Sequence, residues 1–330
     1  MGRKAIRGLD VLSILHDDDV AAKKVLDAIP GFKAFMLNVV CHLREKYIAI
    51  EYAGDGLKVT KESLPELDLL LTETCQILDN SPKPEMSLMW HYDIAATTEG
   101  ARSPHITALS GAVDLLEEDE IRFLLGHEIG HQICGHKPYH MFLESLYLPI
   151  MNTIPGGEQW ITLVRTKLLQ WYRISDFTAD RIGLLACQDI NAALKVLMKM
   201  AGVPIKYYAD MRVDSFIKQA CEFDAMFNGV AEGLIKFLSL NADSHPWLVA
   251  RAAELYKWYQ SNKYEGNLGD TQSRKKGRRE KAKGDQGHGA GSLPRSLHKL
   301  WSSFQGFLPL RHDGCTDDIR KHVFLFAFHQ

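Results

Sequence analysis

Between Ile121 and Pro138 the chain reads IRFLLGHEIGHQICGHKP, and the spacing of its residues leaves few folds open. Within it lies His127-Glu128-Ile129-Gly130-His131, an HExxH motif. On an α-helix, residues i and i+4 stand one above the other on one face, so His127 and His131 can aim two imidazoles at one point. Two such rings are half of a tetrahedral zinc site. Glu128 is then placed to reach a water on that metal as general base. The surroundings favour a helix. Glu117, Glu118, Asp119 and Glu120 put negative charge where the helix dipole favours it. Ile121, Leu124, Leu125 and Ile129 form an apolar stripe at helical spacing. Gly135 and Pro138 supply a stop. Gly126 and Gly130, four apart, let another element approach closely. Two histidines on a buried helix can also be hydrogen-bonded core residues, but the motif alone favours zinc over that reading, and motifs further along the chain add to it.

The composition excludes several alternatives. The chain has 330 residues, 46% hydrophobic and 24% charged, which suits one large globular domain or two small ones. A formal net charge of -2 gives no global argument for nucleic acid. The six cysteines, Cys41, Cys75, Cys134, Cys187, Cys221 and Cys315, contain no CxxC pair and are too sparse for a disulfide framework. A reducing compartment, the cytoplasm, is expected. The N-terminus has basic residues but only a short apolar run before Asp17-Asp18-Asp19, which fits neither a signal peptide nor a span. With Ile6 where Ser or Thr belongs, myristoylation is not expected. No window approaches the roughly 18 apolar residues of a membrane span.

In chain order, residues 18–29, 33–47 and 64–78 read as helices, and Ser81-Pro82-Lys83-Pro84 breaks the last. Met86–Tyr92 and His105–Ser110 read as strands, with Gly100 and Pro104 marking a turn between them. They predict a small antiparallel sheet, one edge of which could pair with an extended peptide. The class is therefore mainly α with a small antiparallel β-sheet (α+β). Gln159–Gln188 reads as one long helix on which Asp176 and Asp180 share a face. Residues 191–240 are helical with a break at Gly202-Val203-Pro204, and Ser244-His245-Pro246 reads as the capped start of a helix running to Gln260. Composition shifts at Ser261. The expected division is an N-terminal helical segment 1–57, a main domain 58–260, a disordered basic linker 261–295 and a C-terminal segment 296–330 of unassigned role. Nucleic acid is not an expected partner except through the basic stretch 274–283, RKKGRREKAK, for which a solvated tail is the simpler reading.

Three motifs in order, HEIGHxxxGH, WYRxSDFTADRxGLLACQD and SHPWLVAR, resemble the soluble relatives of the HtpX and CAAX-prenyl-protease type zinc metallopeptidases. The resemblance covers roughly 58–260. These are gluzincins, in which HExxH gives two ligands and an ExxAD helix gives an acidic third. The resemblance implies a gluzincin-type zinc metallopeptidase fold with Zn2+ held by His127, His131 and Asp176. It makes Asp180 the carboxylate that orients a ligating histidine, and Glu128 and His245 the catalytic pair, His245 assisting the oxyanion. By the same resemblance Arg251 is structural. His136, off the ligand face, reads as structural too. The family has Glu where Asp176 stands and often Asn-Ala where Ala95-Ala96 stands. The shorter Asp176 requires closer helices, a weaker site or lost activity.

The function implied is a zinc-dependent metalloendopeptidase acting on polypeptides, a hydrolase using a zinc-activated water and a Glu general base. The alternative is a catalytically inactive member acting as a metal-binding or protein-interaction module. The natural substrate and oligomeric state are not encoded in any motif.

Overall fold

A computed structural model describes residues 3–27, 37–38, 41–101, 103–145, 157–225 and 246–268. In chain order the elements are α1 (Val11–Ile14), α2 (Asp17–Asp27), α3 (Cys41–Asp55), β1 (Leu57–Lys58), α4 (Pro65–Ile77), β2 (Glu85–Met89), β3 (Ala96–Glu99) and β4 (His105–Leu109). There follow α5 (Ser110–Leu115), α6 (Glu118–Cys134), α7 (Lys137–Ser145), α8 (Gly157–Cys187), α9 (Ile190–Met200), α10 (Val213–Ala225), α11 (Leu248–Gln260) and α12 (Asn262–Leu268). A helical majority with one small sheet is the expected class.

The HExxH motif lies on α6, whose ends are fixed by local chemistry. Glu117 and Glu120 form a reciprocal capping box at its start, and Gly135 closes it in the left-handed conformation at φ 68°. The helix is not the amphipathic element its apolar stripe predicts. Residues from Arg122 to His131 are buried all round, as befits a central helix. Pro138 stops nothing further, because α7 begins at Lys137 and Pro tolerates a first turn.

Helices α6 and α8 pack exceptionally close. Gly126, Gly130 and Gly183 allow it. A Cβ on Gly126 would sit 2.4 Å from the Cβ of Ala186, and one on Gly130 would sit 3.2 Å from Cα of Ala179. Only hydrogen at these positions lets the two backbones meet. Leu71, Leu125, Ile129, Ile182, Leu185 and Trp258 fill the core around this pair.

The sheet is mixed, not antiparallel, in the order β1-β2-β4-β3. The two strands read from the sequence, β2 and β4, pair in parallel, Met86 opposite Ile106 and Leu88 opposite Ala108. The reason is β3. This short, polar ATTE segment pairs antiparallel on the outer side of β4, so β4 inserts between its two predecessors. β3 is left as an edge, and it leans on α6, where the Thr98 hydroxyl donates to the Glu128 carbonyl at 3.2 Å.

The boundaries expected at 57 and 260 do not mark off separate packing units. The N-terminal segment is laced to the central helices. Arg3 pairs with Asp119 and donates to the Cys187 carbonyl. Arg181 donates to the Ile14 carbonyl at 2.8 Å, and Lys23 donates to the Cys134 carbonyl at 2.8 Å. Past Gln260, α12 continues the ordered chain, with Tyr264 buried in the main core. Composition misled here because two apolar side chains four apart among polar residues, Tyr264 and Leu268, suffice to dock a two-turn helix. The basic stretch 274–283 and the segment 296–330 lie outside the described residues. α11 starts at Leu248, with Pro246 ahead of it.

Candidate metal centre

Helices α6 and α8 bring His127, His131 and Asp176 together, all buried, with one potential ligand atom from each within 4.8 Å of the others. Nε2 of His127 lies 3.0 Å from Nε2 of His131, and the latter lies 3.4 Å from Oδ1 of Asp176. Ligands at about 2.0 Å from a tetrahedral zinc stand about 3.3 Å apart, so both separations fit a common ion. The close helix contact reconciles the geometry with Asp176. A carboxylate one methylene short of Glu reaches the imidazoles because glycines on both helices let the backbones meet.

The proton inventory can be followed outward from each ring. His127 Nδ1 lies 2.8 Å from Oδ1 of Asp180. A carboxylate only accepts, so Nδ1 carries a proton, and Nε2 is the nitrogen left to face a metal. His131 Nδ1 lies 3.0 Å from His136 Nδ1, and His136 Nε2 lies 3.1 Å from Oδ2 of Asp19. By the same rule His136 donates from Nε2 to Asp19 and accepts at Nδ1. His131 must then donate from Nδ1, which leaves its Nε2 bare. Burial, the largest influence on each, pushes the pKa of His131 and of His136 below the ordinary histidine value, so both rings are neutral near pH 7.

Two imidazole nitrogens and a carboxylate oxygen therefore converge. Such a cluster repels itself unless a cation sits inside. One proton would serve two of the three atoms, whereas a divalent metal serves all three.

Asp180, in contact with His127 Nδ1, is itself held by Arg251. The guanidinium donates twice, Nε to Oδ2 at 2.8 Å and NH2 to Oδ1 at 2.6 Å. Burial works to raise the Asp180 pKa, but Arg251 and His127 outweigh it and hold the carboxyl below its ordinary value. Arg251 is thus joined through Asp180 to the hydrogen-bond network of His127.

Glu128 is buried on the same helix, and its Oε2 has no hydrogen-bond partner among the described residues. Lys137 Nζ, also buried, stands 3.5 Å away as an ion-pair partner. His245 lies outside the described residues.

Sequence reasoning missed three contributors: Lys137, His136 in its linking role, and Asp19. Lys137 and His136 do carry a signal, since they sit at the Gly135 turn where α7 folds back towards α6. Asp19 carries none, because its role depends on contacts more than 100 residues away.

Two helices, an HExxH pair of rings and a carboxylate from the next long helix define a metallopeptidase of the HExxH class. The chain belongs to peptidase family M48, whose family model matches residues 75–259. A curated relative is the "Plastoglobule-localized metallopeptidase 48, chloroplastic" of Arabidopsis thaliana, 29% identical over 271 residues that cover 79% of this chain and 76% of that protein. No solved structure matches the chain. Among the described residues no helix is long and apolar enough to cross a membrane.

Proposed function

We propose that the chain is a zinc-dependent metalloendopeptidase whose metal is held by His127, His131 and Asp176. The observation that carries this reading is the convergence of two imidazole nitrogens and a carboxylate oxygen at 3.0 and 3.4 Å. Zinc bound there supplies Lewis acidity to a water and to the scissile carbonyl. Glu128 takes the proton from the attacking water and passes it to the leaving amine. Lys137, 3.5 Å from its Oε2, holds the Glu128 carboxylate in place until that transfer. Asp180, itself clamped by Arg251, holds His127 in the ligating tautomer. By resemblance to relatives, His245 assists the oxyanion.

The substrate is an extended polypeptide. β3 is an edge strand with one side unpaired among the described residues, and it lies against α6. Main-chain pairing along it would lay a peptide across the catalytic helix with little sequence demand. The alternative of a member that binds metal without cleaving draws on the Asp at position 176. The glycine-mediated helix contact and the presence of Glu128 weigh against it. A reducing compartment accords with the free thiols of Cys75, Cys134, Cys187 and Cys221. Fractionation would separate the cytoplasm from a plastoglobule site like the relative's.

The test is purification without chelator, followed by elemental analysis and digestion of casein. About one zinc per chain and chelator-sensitive cleavage restored by Zn2+ support the proposal. A metal-free protein that cannot be loaded refutes it.

A further inference from the structure

Asp19 is a carboxylate with no exposure at all, on an element outside the region the family model matches. Burying a carboxylate is costly unless its oxygens are hydrogen-bonded, and here both are. Oδ1 accepts from Trp171 Nε1 at 2.8 Å, and Oδ2 accepts from Thr178 Oγ1 at 2.7 Å and from His136 Nε2 at 3.1 Å. His136, equally buried, is the next link, and through its Nδ1 it meets Nδ1 of His131. The two histidines of the HExxH motif are thus served by unlike means. His127 leans directly on Asp180 from α8, and His131 leans on a carboxylate one imidazole further away, from α2.

We propose that Asp19 is the positioning residue of the metal ligand His131, acting through His136, so that the N-terminal segment is a working part of the metal centre. This rests on the reading that His127, His131 and Asp176 hold zinc. The direction of the chain of hydrogen bonds is forced. Asp19 can only accept, which fixes the His136 proton on Nε2, which makes His136 Nδ1 an acceptor, which fixes the His131 proton on Nδ1 and turns Nε2 to the metal. The surrounding contacts keep the carboxylate from shifting. His16 N–H donates to Thr178 at 3.0 Å just ahead of α2, and Lys23 ties the far turn of α2 to the end of α6. Replacing Asp19 by Asn introduces an amide that donates as well as accepts. With its NH2 towards His136, every proton in the chain reverses and His131 would present N–H to the metal. With its oxygen towards His136, the charge that polarises the chain is gone and the NH2 opposes the Trp171 N–H.

The experiment measures zinc affinity of the full chain by competition with a chromophoric chelator, alongside thermal unfolding of the metal-free protein. Orienting partners of ligating histidines are worth about 10–100-fold in metal affinity. Asp19→Asn is expected to weaken zinc binding by that factor. His136→Gln is the second variant. Its amide can still donate to Asp19, so the buried carboxylate stays satisfied and the fold is kept, but the link to His131 is cut; the same loss of affinity is expected. Thr178→Val removes a donor from the same Asp19 oxygen without interrupting the chain, and should lower stability while leaving zinc affinity within about threefold of wild type. Cobalt-loaded Asp19→Asn and His136→Gln should also show altered visible absorption relative to wild type. Wild-type affinity in a folded His136→Gln or Asp19→Asn protein overturns the proposal. So does a Thr178→Val protein that loses zinc as strongly as they do, since the effect would then be packing. If wild type itself takes up no zinc, both this proposal and the metal centre fall together, an outcome distinct from loss of the Asp19 link alone.

Discussion

Gly126→Ala should open the contact on which the metal centre depends. The added Cβ would lie 2.4 Å from the Cβ of Ala186 and 3.0 Å from Cα of Gly183. Carbon atoms in comfortable contact stand about 3.5–4.0 Å apart, so the first distance falls short by about 1 Å or more. Neither obstacle is the end of a flexible side chain. Backbone must move, and the overpacking cost belongs at the upper end of the usual 1–3 kcal/mol, about 3 kcal/mol. Better helix propensity offsets about 1 kcal/mol of that. A net loss of about 2 kcal/mol lowers Tm by about 4–8 °C for a domain of this size. Zinc affinity should fall too, since all three donors ride on the two helices being separated. Thermal unfolding of the metal-free protein and chelator competition measure the two effects. Gly54→Ala, with nothing within 4 Å of the new Cβ, is the control and should leave Tm unchanged or slightly raised. Adding Ala186→Gly to Gly126→Ala should recover part of the loss. A Gly126→Ala protein within about 0.5 kcal/mol of wild type would refute the reasoning that these glycines set the helix separation.

Asp176→Ala should cost several kcal/mol of zinc affinity, far more than Asp180→Asn, which should cost about 10–100-fold; chelator competition ranks them. Arg251→Met leaves Asp180 buried without its cation and should destabilise the fold by about 3–5 kcal/mol, read by denaturant titration. Because the Asp180 carboxyl is held below its ordinary value, its stabilising contribution is complete at pH above the ordinary carboxylate range and is lost as pH falls through the lowered folded value. The acid limb of the stability curve should therefore be shallower in Asp180→Asn. Ending the chain at Leu268 should preserve stability, whereas ending it at Gln260 removes buried Tyr264 and should lower Tm measurably.

The parts of this structure legible in the sequence are those fixed by short-range spacing. His127 and His131 need only a helix between them, and Asp176 and Asp180 need only another. The glycines at 126 and 130 announced the close approach, though not its partner at Gly183. β3 was not legible, because ATTE is short and polar and becomes a strand only through pairing with β4. Its insertion is what turns an expected antiparallel pair into a parallel one. Asp19 was hidden for a different reason. In the sequence the three aspartates marked only the end of a short apolar run, and Asp17 and Asp18 carry the same letter as the neighbour that is sealed in the core. Only the meeting of α2 with α8 and the Gly135 turn tells them apart. Lys137 was overlooked because its one signal, a place at the Gly135 turn, says nothing of Glu128 until α7 brings the two together.

The most direct test of the catalytic reading is casein hydrolysis by zinc-loaded wild type and zinc-loaded Glu128→Gln, with metal content measured on the same samples. Glu128 touches no ligand role, so both proteins should carry about one zinc per chain, and hydrolysis should fall by at least about 100-fold in the variant, as expected for loss of a general base. Equal hydrolysis by the two zinc-loaded proteins would contradict the role given to Glu128 and, with it, the mechanism proposed for this site.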